Sequence, residues 1–192
     1  MNIQSLPEDE DLSDFPIPAI PEGISVEISD TQSHLNVDPQ ALTRLVCATL
    51  AAEGVDRATI SIALVDNFTI LDLNRRHLGH DWPTDIITFS FSEPDEPTLS
   101  GELVISAEMA ATTADQAGIA SWDELALYVV HGLLHLTGYD DTDLEDRAVM
   151  RQRETAILAL AGLSNTYQPV TTGVEHSEPA ASVGQESVRC KI

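Results

Sequence analysis

Runs of alternating and of helically spaced apolar residues divide the chain. Ile24, Val26 and Ile28 alternate with polar neighbours, the period of a half-buried strand, and Ile60, Ile62 and Leu64 repeat it within Thr59 to Val65. Between them, Asp38 and Pro39 form an N-cap followed by a proline at the first helical position. Leu42, Leu45, Val46, Thr49 and Leu50 then make one stripe that ends at Gly54. Asp66 caps a short helix carrying Phe68, Leu71 and Leu73, which runs out in the polar segment 74–81. Asp85 to Phe91 alternates again, with Ile87, Phe89 and Phe91 on one face, and Gly101 to Ser106 supplies a fourth strand through Leu103 and Ile105. The rest is helical. Ser106 opens a small-residue helix, Ala107 to Ala117, stopped by Gly118. Ser121 with Glu124 has the pattern of a capping box at the start of the next helix. There, Trp122, Leu125, Val129, Leu133 and Leu136 spread over a surface wide enough to predict a buried central position. Thr142 with Glu145 is a second such box, opening a helix to about Gly162 with Leu144, Met150, Ile157 and Leu160 as core candidates and Arg147 and Arg151 on a shared face. This order predicts an α+β fold: one small domain with about four strands in a mixed sheet, packed with helices around a buried central helix.

Length and composition agree with a single domain, since 192 residues with 43% hydrophobic content can bury one sizeable core. Residues 1–22 read as a disordered acidic arm, with four consecutive acids at Glu8 to Asp11 and no basic residue. The domain spans 23–163, and 164–192, polar and without periodicity, reads as a disordered tail. Neither a basic, apolar leader nor a membrane-spanning run is present in the sequence, so the expectation is a cytoplasmic protein without a membrane partner. Cys47 and Cys190 make neither a disulfide framework nor a thiolate metal site. A formal charge of −23 opposes broad affinity for nucleic acid and leaves room only for a local phosphate site, for which Arg75 and Arg76 are the candidates.

The chemistry concentrates in Tyr128 to Asp141. His131 and His135 are one helical turn apart, so two imidazoles on one face can reach the same metal ion. A single histidine on an apolar helix is commonly a hydrogen-bonded core residue. Two at this spacing would need separate partners in a helix that is apolar nearly all round, which favours a shared metal. Gly138 offers a helix stop, after which Asp141 can fold back as third ligand or belong to the start of the next helix. Any such metal must use His and carboxylate, and three protein ligands leave a fourth position open for water or substrate. Glu102, Asp85 and Asp140 are the candidate general bases, provided folding brings them to that position.

The stretch from His131 to Asp141, reading HGLLHLTGYDD, closely resembles the signature of the YbeY family, bacterial metal-dependent endoribonucleases tied to rRNA maturation. Leu73-Asn74, Pro83 to Phe89 and Gly101 to Ser106 resemble the family's other blocks in the same order, over about residues 24–161. The resemblance implies one zinc ion on His131, His135 and Asp141 and a single-strand-specific endoribonuclease. It also implies maturation of the 3′ end of 16S rRNA, ribosome quality control, partnership with single-stranded rRNA and the small ribosomal subunit, and no action on DNA. Two positions depart from the family pattern: Asp141 stands where a third histidine is usual, and Leu78 where an arginine is usual. The alternative is a non-catalytic ribosome-assembly factor with a structural metal. A lesser one is a metalloprotease, whose pattern fits His131, His135, Gly138 and Asp141 but places a glutamate where this chain has Gly132.

Overall fold

The computed structural model describes residues 21–79, 81–93, 96–163 and 188–191. The chain runs β1 (Ile24–Asp30), α1 (Pro39–Ala52), β2 (Ala58–Val65), α2 (Asn67–Leu78), β3 (Ile86–Ser90), β4 (Leu99–Ser106), α3 (Ala107–Ala117), α4 (Ser121–Leu136), α5 (Leu144–Leu160) and β5 (Val188–Lys191). The expected four strands form a mixed α+β sheet in the order β1-β2-β4-β3, in which β1, β2 and β4 are parallel and β3 is antiparallel to β4. β5 lengthens this sheet by pairing in parallel with β3, so the segment read as a disordered tail ends in a strand. Four residues carry too short an alternation to announce one. The acidic arm, apart from 21–22, and residues 164–187 lie outside the described residues.

Alternation along the strands sorts the helices onto two faces. Ile60, Ile62, Leu64, Ile86, Leu103 and Ile105 point into the large core that they share with α1, α3, α4 and α5. Val65, Ile87, Phe89 and Val104 point the other way, to Ile70 and Leu73 of α2. Helix α4 lies in the middle of the thicker layer, against α1, α3, α5, β3 and β4, and twelve of its residues are buried. Gly132 permits the close approach to the sheet: a Cβ there would stand 2.5 Å from Ile86 Cδ1 and 2.8 Å from Leu103 Cδ2. The central helix expected from the sequence is thus the core of the molecule.

Several local expectations are corrected. Ser121 is already helical, the N-cap is Ala120, and no side chain caps α4. Glu124 is instead buried, its charge acting on the Tyr128 hydroxyl, and the first capping box does not form. At α5 the cap is Asp143, whose carboxylate accepts from the amides of Glu145 and Asp146, in place of Thr142. Leu144 and Leu160 flank that helix as exposed residues, while Met150, Glu154, Ile157 and Leu158 are its buried side. In α2 Ile70 is buried and Phe68 is exposed. The same helix continues through Arg75, Arg76 and His77, which the sequence suggests as the beginning of a loop.

Candidate metal centre

His131 and His135 sit in the last two turns of α4, and the chain then reverses at Gly138, whose φ of 108° is open to a residue without a side chain. The next residues build the turn that returns a carboxylate. Asp140 Oδ1 accepts from the amides of Asp141 (2.8 Å) and Thr142 (3.3 Å), and the Arg147 guanidinium donates to the Asp141 carbonyl at 3.1 and 3.3 Å. Held at both ends, Asp141 directs its side chain to the imidazoles. His135 Nε2 lies 3.1 Å from His131 Nε2 and 3.7 Å from Asp141 Oδ1, and His131 Nε2 lies 4.0 Å from Asp141 Oδ2. One ligand atom from each residue falls within 4.8 Å of the others.

The outer nitrogens determine what these atoms offer. His135 Nδ1 is 3.1 Å from the Tyr139 carbonyl oxygen, which can only accept, so Nδ1 carries the proton and Nε2 presents a lone pair. His131 Nδ1 is 2.7 Å from Glu154 Oε1, a carboxylate that acts in the same way. With both rings neutral, two nitrogen lone pairs and a carboxylate face one point, a donor set that calls for a positive charge: a metal ion or, without one, a second proton on His131 Nε2, 3.1 Å from His135 Nε2. The residues therefore fit a metal ion. Burial disfavours the charged form of His131. The hydrogen bond and charge of Glu154, and then the charges of Asp85 and Asp141, outweigh it and hold its proton more tightly than in an ordinary histidine.

Glu154 is the residue that sequence reasoning missed. It stands 23 positions beyond His131, and its only signal is an acid on the apolar side of α5, in line with Met150, Ile157 and Leu158. Tyr139 is a second support. Its side chain interacts with Glu53 and Arg153, and Arg153 also donates to Glu53 Oε1 at 2.6 Å and to the Ala52 carbonyl.

The three candidate bases separate. Asp85, just before β3, accepts from the Thr84 hydroxyl and the Ile86 amide, both at 2.9 Å, and its charge acts on His131. Asp140 holds the turn. Glu102 alternates with Leu103 and Gly101, so it shares the face of Val104, opposite α4. Arg75 and Arg76 belong to α2, on that opposite face, and are exposed and paired, Arg75 with Asp81 and Arg76 with Asp72 at 2.7 Å. Asn74 on the same helix is fully buried and donates to the Trp82 carbonyl at 2.8 Å, tying α2 to the segment that leads into Asp85.

Fold and donor set together define a small α+β protein whose central helix carries a His-x3-His site completed by a carboxylate and able to hold a metal ion. A family model described as endoribonuclease YbeY matches residues 27–162. The endoribonuclease YbeY of Carboxydothermus hydrogenoformans is 39% identical over 140 residues, covering 71% of this chain and 97% of that protein. That of Rhodopirellula baltica is 42% identical over 124 residues, 64% of this chain and 63% of its own length. The chain belongs to the endoribonuclease YbeY family. Among solved structures, a Thermotoga maritima protein studied in solution shares the fold, with a TM-score of 0.52 at 20% identity over 79% of this chain and 99% of that one.

Proposed function

We propose that this protein is a zinc-dependent endoribonuclease that cuts single-stranded RNA, acting in the cytoplasm on the 3′ end of small-subunit rRNA and in ribosome quality control. The observation that carries the reading is the convergence of His131 Nε2, His135 Nε2 and an Asp141 oxygen, with both outer nitrogens anchored. Two imidazoles and one carboxylate suit zinc and leave a coordination position for substrate. Zinc, when bound, supplies Lewis-acid stabilisation of charge at a phosphate and acidifies water. The chain's own residues do the rest. His131, His135 and Asp141 hold the ion, Glu154 and the Tyr139 carbonyl keep the rings in place, and Arg147 and Asp140 hold the Asp141 loop. Of the three candidate acids, Asp85 is the one whose charge reaches His131, and it is the candidate base on that ground.

The assembly-factor reading draws support from Arg75 and Arg76, whose acid partners leave little positive charge for a phosphate. A protease reading has no support at position 132, which packs against Ile86 and Leu103 and offers no carboxylate beside His131. The experiment is elemental analysis of protein purified without added zinc, followed by incubation with a single-stranded RNA carrying the 3′ sequence of small-subunit rRNA, with and without chelator. Zinc near one ion per chain and chelator-sensitive cutting are expected, and the product ends tell whether water or a ribose hydroxyl attacked. Zinc without cutting, together with small-subunit binding that survives His131→Ala, would establish the assembly factor instead.

A further inference from the structure

We propose that Glu154 is a positioning residue of the zinc site, fixing the ring and the basicity of His131; this rests on reading the cluster as a zinc centre. Glu154 is 3% exposed on the side of α5 that otherwise presents Met150, Ile157 and Leu158 to the core. A carboxylate buried among such neighbours needs a strong polar partner, and its Oε1 stands 2.7 Å from His131 Nδ1, the length of a charge-assisted bond. That bond locates the proton on Nδ1 and turns the Nε2 lone pair to the point where His135 and Asp141 also converge. A carboxylate on the outer nitrogen makes the inner one a better donor to a cation.

The preceding residue does the matching task for the other ring. Arg153 grips Glu53 and the Ala52 carbonyl and interacts with the Tyr139 side chain, while the Tyr139 carbonyl accepts the His135 Nδ1 proton at 3.1 Å. Two consecutive residues of α5 thereby support both imidazoles of α4, one directly and one through the loop. A purely packing role for position 154 would call for an apolar side chain like its neighbours on that face.

The test uses the full chain, stripped of metal and titrated with zinc against a chromophoric chelator, for the wild type, Glu154→Gln and Glu154→Ala. Circular dichroism checks that each variant is folded. Glu154→Ala should bind zinc about 10- to 100-fold more weakly. Glu154→Gln retains an acceptor without the charge, and its loss should be smaller yet measurable. In the zinc-loaded wild type, two-bond 15N correlations should place the His131 proton on Nδ1, with a resonance that moves in both variants, a shift that loss of packing elsewhere would not produce. Wild-type zinc affinity in the folded variants would overturn the role, and Glu154→Gln decides alone if Glu154→Ala does not fold. A wild type that binds no zinc would overturn the zinc-centre reading itself, a different result from a wild type that binds zinc with variants that match it.

Discussion

Asp141 is the residue on which the site turns, because its carboxylate adds a third donor to the two imidazoles. Its oxygen is an acceptable zinc ligand, and its loop is fixed by Asp140 within the turn and by Arg147 from α5. Asp141→Ala should therefore leave the fold intact while zinc falls from near one ion per chain to a small fraction, read by elemental analysis beside His135→Ala, which should retain none. Retention of full zinc by Asp141→Ala would remove the third ligand from the scheme. His131 adds a pH signature that differs between the metal-free and the zinc-bound state. In the metal-free protein its folded pKa is raised above the ordinary value of 6.5, so its pair with Glu154 stabilises the fold fully below about that pH. That contribution is lost as pH rises through the folded value. Zinc competes with the proton, so the stabilisation by zinc runs the other way and grows with pH over the same window. The midpoint of thermal unfolding across that range should therefore fall with rising pH in chelator and stay nearly level with zinc, the gap between the two widening as pH rises, and parallel curves would contradict the shared site.

At the scale of elements, the ends of helices decide how the site is presented. Asp143 caps α5, the helix that carries Arg147, Arg153 and Glu154, through bonds of 2.9 Å to the amides of Glu145 and Asp146. Asp143→Ala should cost about 1 kcal/mol of stability by denaturant unfolding, and Thr142→Ala, which removes the residue the sequence pattern favours as cap, no more than about 0.5 kcal/mol. The reverse order would restore the capping box at Thr142. This contrast shows what a sequence can disclose. Asp38 before Pro39 and Ser106 before Ala107 are legible caps because one polar residue directly precedes a clear helical period. Thr142 misleads because the adjacent Asp143 offers a carboxylate for the same position, and Ser121 misleads because α4 begins one residue earlier than its pattern suggests, at an Ala120 that has no capping group. His131, His135 and Asp141 were visible because a spacing of four and a following glycine are local geometry. Glu154 and Arg153 were hidden, since what makes them part of the site is the crossing of α5 over α4, which no local period encodes.

Across the whole molecule, charge sets the manner in which RNA can be held. The chain carries 32 acidic residues against 9 lysines and arginines, and the two arginines near the end of α2 already face Asp81 and Asp72. A polyanion approaching this surface meets net repulsion, so under the proposed function the attraction comes from a metal ion held at the His131, His135 and Asp141 cluster and from very few phosphate contacts. Counterion release then predicts a shallow salt dependence. For single strands the slope of log K against log salt is about −0.7 per phosphate neutralised, so one or two contacts give a slope near −1, which screening of the overall repulsion flattens further. Fluorescence anisotropy of a labelled single-stranded RNA should show its affinity falling by less than about tenfold between roughly 50 and 200 mM salt. The same affinity should collapse when zinc is removed by chelator or by His131→Ala. A loss of about a thousandfold over that salt range would mean about seven phosphates neutralised, a basic groove that the paired arginines of α2 do not supply. Affinity that is both shallow in salt and indifferent to zinc would instead mean that recognition rests on contacts with RNA bases or with a ribosomal protein, away from the metal centre.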